Sequence, residues 1–325
     1  MSAFPGKGQL TVHCAHTAYR LAECLEKRGA PVRVFQTWTL DETRQRLGEG
    51  DVMVLSGFWR HEYLQTAVPK LRFIQVCAAG YDRFDPAALA VAGVRLCNAS
   101  GVNANAVADQ AMALMLSLTR QLHLARDNQK AHHWRPMISE IAAREDELAG
   151  KTLLIVGMGT IGQRLAKRAR AFDMRVIGVR RNTDAIAGLV DAAHTPAELP
   201  KLWGAADVVA LTCPLTDETA NIVDAEALAA MAPSSYLINV ARGGCVDEAA
   251  LISALENGAI AGAGIDTTAE EPLSASSALW DMANVVLTPH TAGETRAYED
   301  NVVDILLENL ERLWRGEDAL RNQIV

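Results

Sequence analysis

Short apolar runs alternate with amphipathic stretches through the first hundred residues. LTVHC, VRVF, VMVLS, RFIQVC and VRLCN are runs of strand length. They read as near-continuous apolar segments, as strands covered on both faces do. Between them, YRLAECLEKRG and FDPAALAVAG have helical patterning. Alternating strands and helices predict a parallel sheet with helices on both sides.

The pattern changes at Asn103. NANAVADQAMALMLSLTRQLHLARDNQK contains no Gly or Pro and predicts one long helix, of a length that would bridge two lobes. HHWRPMISEIAAREDELAG is polar and irregular and predicts a connecting loop. A second alternating series begins at Lys151. KTLLIVG, MRVIGVR, DVVALTC, SSYLINV, AIAGAGID and NVVLTP are its strands, and TIGQRLAKRARAF its first helix. NVVDILLENLERLWRGE predicts a closing amphipathic helix that packs back across the lobes. No short tandem repeat and no low-complexity tract interrupts this layout.

The chain has 325 residues, 50% hydrophobic and 22% charged, enough for two ordinary domains with sizeable cores. With 31 basic and 39 acidic residues its net charge is −8, which gives no general pull toward nucleic acid or an anionic membrane. The longest apolar run, AVADQAMALMLSL, is broken by Asp109 and Gln110 and falls short of a membrane span. The start, MSAFPGKGQLTVHC, has no long apolar signal region. The six cysteines, Cys14, Cys24, Cys77, Cys97, Cys213 and Cys245, lack C-x-x-C spacing and several sit in apolar runs. Reduced, buried thiols in a cytoplasmic protein are the expectation.

Chemistry enters at Gly157-Met158-Gly159-Thr160-Ile161-Gly162, a G-x-G-x-x-G between a strand and a helix. In that context the first glycine permits the tight turn. The second lets backbone approach a pyrophosphate, and the third lets helix pack on strand. The helix N-terminus then presents free N–H groups to phosphate. The next strand closes on Arg180 and Arg181. A dehydrogenase selective for NAD carries Asp or Glu here, which binds the ribose 2′-hydroxyl. Two guanidiniums suit a 2′-phosphate instead, so the expected cofactor is NADP(H) by preference, with NAD(H) usable.

Three more strands end in charged or titratable residues. Arg242 follows SSYLINVA, Asp266 and Glu271 lie in IDTTAEEPL, and His290 lies in NVVLTPHTAG. Carboxyl ends of parallel strands are where ligands bind in such folds. The remaining histidines show no metal-ligand spacing, and His132-His133 sits in the polar loop, so no metal is expected.

Here the chain resembles the D-specific 2-hydroxyacid dehydrogenases, which include glyoxylate/hydroxypyruvate reductases. PKLRFIQVCAAGYDRFD, GVRLCNASGVNANAVADQAMALMLSLTR, the glycine turn, ADVVALTCPLTDETANIVD, LINVARGG, GIDTTAEEPL and LTPHTAG match family signatures in family order. The resemblance implies an α/β fold of two Rossmann-like or flavodoxin-like lobes with parallel sheets and the active site in the cleft between them. Residues 1–102 with 294–325 would form the substrate-binding lobe, and 103–293 the dinucleotide-binding lobe. The implied reaction is reversible reduction of a small 2-oxo acid to a D-2-hydroxy acid.

In that scheme Arg242 grips the substrate carboxylate and carbonyl. His290 is the general acid in reduction. Glu271, placed directly before Pro272, orients the imidazole. Cys213, Pro214, Thr219, Val240, Ala241 and Asp266 line the cofactor, with Asp266 on its nicotinamide side. Backbone N–H groups at Ala79 and Gly80 hold the substrate carboxylate. Phe58 and Trp59 are candidates for an apolar wall, with lobe packing as the competing reading. A homodimer is implied, with His132 to Trp134 reaching a partner's cleft as one option. Formate oxidation is disfavoured, because formate dehydrogenase carries Gln where this chain has Glu271. A phosphite-type dehydrogenase and a dinucleotide-sensing corepressor remain as alternatives.

Overall fold

The structure is a computed structural model that describes residues 4–66 and 68–325. The chain divides into two compact units, Met1–Asn103 with Thr295–Val325, and Ala104–Glu294.

The first unit is built on a five-stranded parallel sheet in the order β2-β1-β3-β4-β5. Its strands are β1 (Thr11–Ala15), β2 (Arg33–Thr37), β3 (Val52–Leu55), β4 (Phe73–Val76) and β5 (Arg95–Cys97). Alternate residues feed two cores. Val52, Val54 and Phe73 face one cluster, with Leu21, Leu25, Val302, Leu306 and Leu310 from two helices. Met53, Leu55, Ile74 and Val76 face the other. Burial of both faces is why β3 and β4 show no polar alternation. The closing helix, Tyr298–Trp314, belongs to this unit and packs on the helix Leu21–Lys27.

The second unit holds a seven-stranded parallel sheet in the order β12-β11-β10-β9-β6-β7-β8. Its strands are β6 (Thr152–Val156), β7 (Arg175–Val179), β8 (Ala192–His194), β9 (Val208–Leu211), β10 (Tyr236–Asn239), β11 (Gly262–Ile265) and β12 (Val285–Leu287). The same alternation sends Leu154, Val156, Val209 and Leu211 to one core and Leu153, Ile155, Val208 and Ala210 to the other. From β6 the chain runs outward through β7 and β8, then returns to place β9 on the opposite side of β6. Strand order therefore reverses between β6 and β9. Ligands bind at such a switch point, outside the carboxyl ends of the strands.

One expectation needs correction, and three elements went unread. The run from Asn103 to Lys130 is two helices, Ala104–Thr119 and Leu122–Lys130, both in the second unit. They are separated by Gln121 at φ 50°, a left-handed residue that breaks the hydrogen-bond ladder. The first buries residues such as Val107, Ala111, Leu114 and Leu118, while the second buries none. Strand β8, with sequence AAH, is a short edge strand that apolar patterning did not reveal. The helices Ala225–Ala230 and Glu248–Glu256 also went unread, although Asp224 and Asp247 cap them by accepting the amides of Ala227 and Ala250.

Among the described residues, no helix is long and apolar enough to cross a membrane. No described group of His, Cys, Asp and Glu is arranged to hold a metal ion.

Candidate active site

The glycine turn leaves β6 at the switch point. Gly157 has φ +101°, and a Cβ there would lie 2.5 Å from Cys213 N, so only glycine fits on both counts. A Cβ on Gly162 would lie 2.5 Å from Gly157 O, which shows the close helix-to-strand packing expected of the third glycine. Thr212 Oγ1 donates to Gly157 O at 2.6 Å and ties the turn to the end of β9. Gly159 caps the helix Thr160–Ala171. The first-turn amides of Thr160, Ile161 and Gly162 thus have no intrahelical acceptor and are available to phosphate.

A cavity of about 670 Å³ opens at this turn. Gly157, Met158, Gly159, Arg180, Arg181, Cys213, Pro214 and Thr219 all line it. Arg180 Nη1 donates to Met158 O at 3.0 Å, which holds that guanidinium at the mouth of the turn. Thr219 Oγ1 donates to Pro214 O at 2.6 Å and accepts from Thr216 N at 2.8 Å, closing the strap that follows β9. Thr216, Asp217 and Glu218 line the cavity as well and were not foreseen. Val240 and Ala241 are buried at the end of β10 and are not among its lining residues.

The adjacency of β10, β11 and β12 brings three strand ends side by side. Arg242 follows β10, Asp266 follows β11, and His290 follows β12. Gly243 joins the first two of these loops so closely that a Cβ on it would fall 1.9 Å from Thr268 O. Thr268 N in turn donates to Glu271 Oε1 at 3.3 Å.

His290 Nδ1 and Glu271 Oε2 are 2.8 Å apart. The carboxylate only accepts, so the bond uses the Nδ1–H and leaves Nε2 for another partner. Both side chains are partly open to solvent, at 46% and 40% exposure, so a reacting group can reach the imidazole. His290 itself sits at φ +53°, a strained position for a residue with a side chain. Its amide donates to Asp266 O at 2.8 Å and to Thr288 O at 3.0 Å.

The Asp266 side chain holds this loop rather than projecting from it. It is 2% exposed. Its carboxylate accepts from Thr288 Oγ1 at 2.6 Å and from the amides of Thr291 and Ala292 at 3.1 Å. Asp266 thus ties down the loop that carries His290. A second cavity, of about 570 Å³, is lined by Asp266, Glu271, Leu273, Trp280, Leu287 and His290 among others. Trp280 was missed in the sequence because its distance from the catalytic motifs gave no signal. It is anchored by Nε1 donating to Ser274 O at 2.9 Å.

In the first unit, Ala79 and Gly80 follow β4 in an irregular segment, and their amides have no acceptor among the described residues. Trp59 is 1% exposed, stacked on Phe84 and edge-on to Tyr63. That placement overturns it as a wall for substrate: it is core. Phe58 is partly buried against the same cluster.

A phosphate-binding turn at a sheet's switch point and an imidazole–carboxylate pair at strand ends of the same sheet are the parts of a dinucleotide-dependent oxidoreductase. Residues 112–292 match the family model described as "D-isomer specific 2-hydroxyacid dehydrogenase, NAD binding domain". Glyoxylate/hydroxypyruvate reductase B of Serratia proteamaculans is 37% identical over 271 residues, 83% of this chain and 83% of that protein. Glycerate dehydrogenase of Methylorubrum extorquens is 33% identical over 287 residues, 86% of this chain and 88% of that one. The crystal structure of a D-isomer specific 2-hydroxyacid dehydrogenase family protein from Aeromonas salmonicida is 28% identical, with TM-score 0.83, covering 98% of this chain and 99% of that one. The chain belongs to the D-isomer specific 2-hydroxyacid dehydrogenase family. It is an oxidoreductase that interconverts 2-oxo and D-2-hydroxy acids with a nicotinamide dinucleotide.

Proposed function

We propose that this enzyme reduces a small 2-oxo acid with NADPH, using His290 as proton donor, Glu271 as its orienting partner and Arg242 as the substrate clamp. The observation that carries the reading is the 2.8 Å bond from His290 Nδ1 to Glu271 Oε2. It fixes the ring and frees Nε2 to protonate the carbonyl oxygen as hydride arrives at carbon. The nicotinamide dinucleotide supplies the hydride. Arg242 follows β10, which pairs with the strand that precedes Glu271, and its fork suits a carboxylate. The free amides of Ala79 and Gly80 support a carboxylate cradle in the first unit, which we assign to substrate binding.

Glyoxylate and hydroxypyruvate are the first substrates to try, given the name of the Serratia relative. The test follows absorbance of the reduced cofactor with a panel that adds phenylpyruvate. Turnover with at least one 2-oxo acid is expected. Dinucleotide binding without turnover across the panel would favour a cofactor-sensing binding protein instead.

The preference for NADPH rests on Arg180 and Arg181 at the dinucleotide cavity, where a ribose-binding carboxylate would otherwise stand. Replacing both by alanine should lower kcat/KM for NADPH by about tenfold or more, the scale of a charge-assisted bond, and change that for NADH far less. Equal losses for both cofactors would remove the assignment.

The segment from Leu122 to Ile141 exposes Trp134 (96%), Met137 (97%) and Ile141 (76%). Large apolar side chains left in water on one segment support a homodimer formed there. A monomer mass by light scattering would contradict it. Six free thiols support a cytoplasmic setting.

A further inference from the structure

The amides of Ala79 and Gly80 take their direction from carbonyls that a neighbouring strand end holds. β4 and β5 are paired in parallel, so the segments leaving their carboxyl ends run side by side. Ala99 N donates to Ala78 O at 2.9 Å, and Asn98 Nδ2 donates to Ala79 O at 2.7 Å. Ala78 O shares a peptide with the Ala79 N–H, and Ala79 O shares one with the Gly80 N–H. In a planar trans peptide the N–H points away from the C=O. Both amides are therefore turned away from the segment of Asn98 and Ala99. Residues 77–79 form a bend, which lets two successive carbonyls face the same neighbour. Successive amides gathered on one side make an anion-binding concavity.

Asn98 is itself firmly held. It is 7% exposed. Ser100 N, which can only donate, bonds Asn98 Oδ1 at 3.1 Å, so Nδ2 is the group left to face Ala79 O. The backbone of Asn98 is engaged in both directions. Its N–H donates to Asn322 O at 3.1 Å, and its carbonyl accepts from Gln75 Nε2 at 3.0 Å. Asn322 Nδ2 closes the turn by donating to Ser100 O at 2.9 Å. A residue held through its backbone and both side-chain polar groups has little freedom to release Ala79 O.

We propose that Asn98 is a positioning residue for substrate: by holding Ala79 O it aims the Gly80 N–H at the carboxylate of the 2-oxo acid. The inference rests on the assignment of Ala79 and Gly80 to a carboxylate cradle. In this role Asn98 touches neither substrate nor dinucleotide. Two substitutions separate orientation from packing. Asn98→Asp keeps the size of the side chain and its bond to Ser100 N, but sets an acceptor against Ala79 O. Asn98→Ala removes the donor without adding repulsion. A packing role makes alanine the worse change, because it leaves a cavity. An orienting role makes aspartate the worse one, because it opposes the carbonyl it should hold.

The test uses the whole protein with reduced dinucleotide bound. Oxamate, which carries a carboxylate beside a carbonyl, is titrated into protein labelled with ¹⁵N-glycine, and the Gly80 amide signal is assigned by its loss in Gly80→Ala. The Gly80 signal of the parent should move as oxamate binds. In Asn98→Asp the Kd for oxamate should rise about tenfold, the scale of one lost hydrogen bond. KM for a 2-oxo acid should rise with it while kcat changes far less, the signature of lost uniform binding. Asn98→Ala should show the same split at smaller size, and dinucleotide affinity should stay parental in both. If Asn98→Asp does not fold, the split between KM and kcat in Asn98→Ala decides. A Gly80 signal indifferent to bound oxamate, parental oxamate affinity in Asn98→Asp, a greater loss in Asn98→Ala than in Asn98→Asp, or a fall in kcat with KM unchanged would overturn the proposal. Normal turnover with parental KM in both variants removes this inference alone. A parent that neither reduces any 2-oxo acid nor binds oxamate removes the reading beneath it as well.

Discussion

Replacing His290 with alanine lowers kcat for 2-oxo acid reduction by about 10²–10⁴, the usual contribution of a positioned general acid. Affinity for the dinucleotide stays close to that of the parent, because the glycine turn and its cavity are built from β6, β7 and β9, away from the His290 loop. Glu271→Gln should reproduce part of the loss, because an amide still bonds Nδ1 but no longer stabilises an imidazolium. Near-parental kcat in His290→Ala, measured by single-turnover kinetics so that product release does not mask the chemical step, would remove His290 from its role.

The second large effect comes from a residue that touches no substrate. Gly243→Ala places a methyl 1.9 Å from Thr268 O, a backbone atom that has no free rotation to give way. The loops bearing Arg242 and Glu271 must separate. Overpacking of this kind costs about 1–3 kcal/mol. A displacement near 1 Å of catalytic groups costs about 10² in rate. The expected outcome is a lower Tm together with kcat/KM reduced about 100-fold by that displacement. Gly57→Ala is the control, because its Cβ would meet nothing within 4 Å. It should change stability by no more than about 0.5 kcal/mol, as surface changes do. Unaltered kinetics in Gly243→Ala would mean that the two loops are not the rigid pair described above.

The strands were legible because a parallel sheet covered on both faces leaves an uninterrupted apolar run. The fingerprint was legible because each glycine answers a local requirement, seen at Gly157 and Gly162 as Cβ positions already filled by backbone. What escaped depends on contacts between distant segments. Nothing in RQLH marks Gln121 as left-handed. Trp59 stands at a strand end where ligands bind, but its burial against Phe84 and Tyr63 is a tertiary fact. The hold of the Asp266 carboxylate on the Thr291 and Ala292 amides joins positions some 25 residues apart and has no local sign.

The central claim is that hydride passes from the dinucleotide to C2 of a 2-oxo acid while His290 protonates its oxygen. NADPH deuterated at C4 of the nicotinamide, incubated with the enzyme and the best substrate of the panel, tests it most directly. The product should be the D-2-hydroxy acid with deuterium at C2, formed at a rate that collapses in His290→Ala. A product without deuterium at C2, or one of L configuration, would contradict the account.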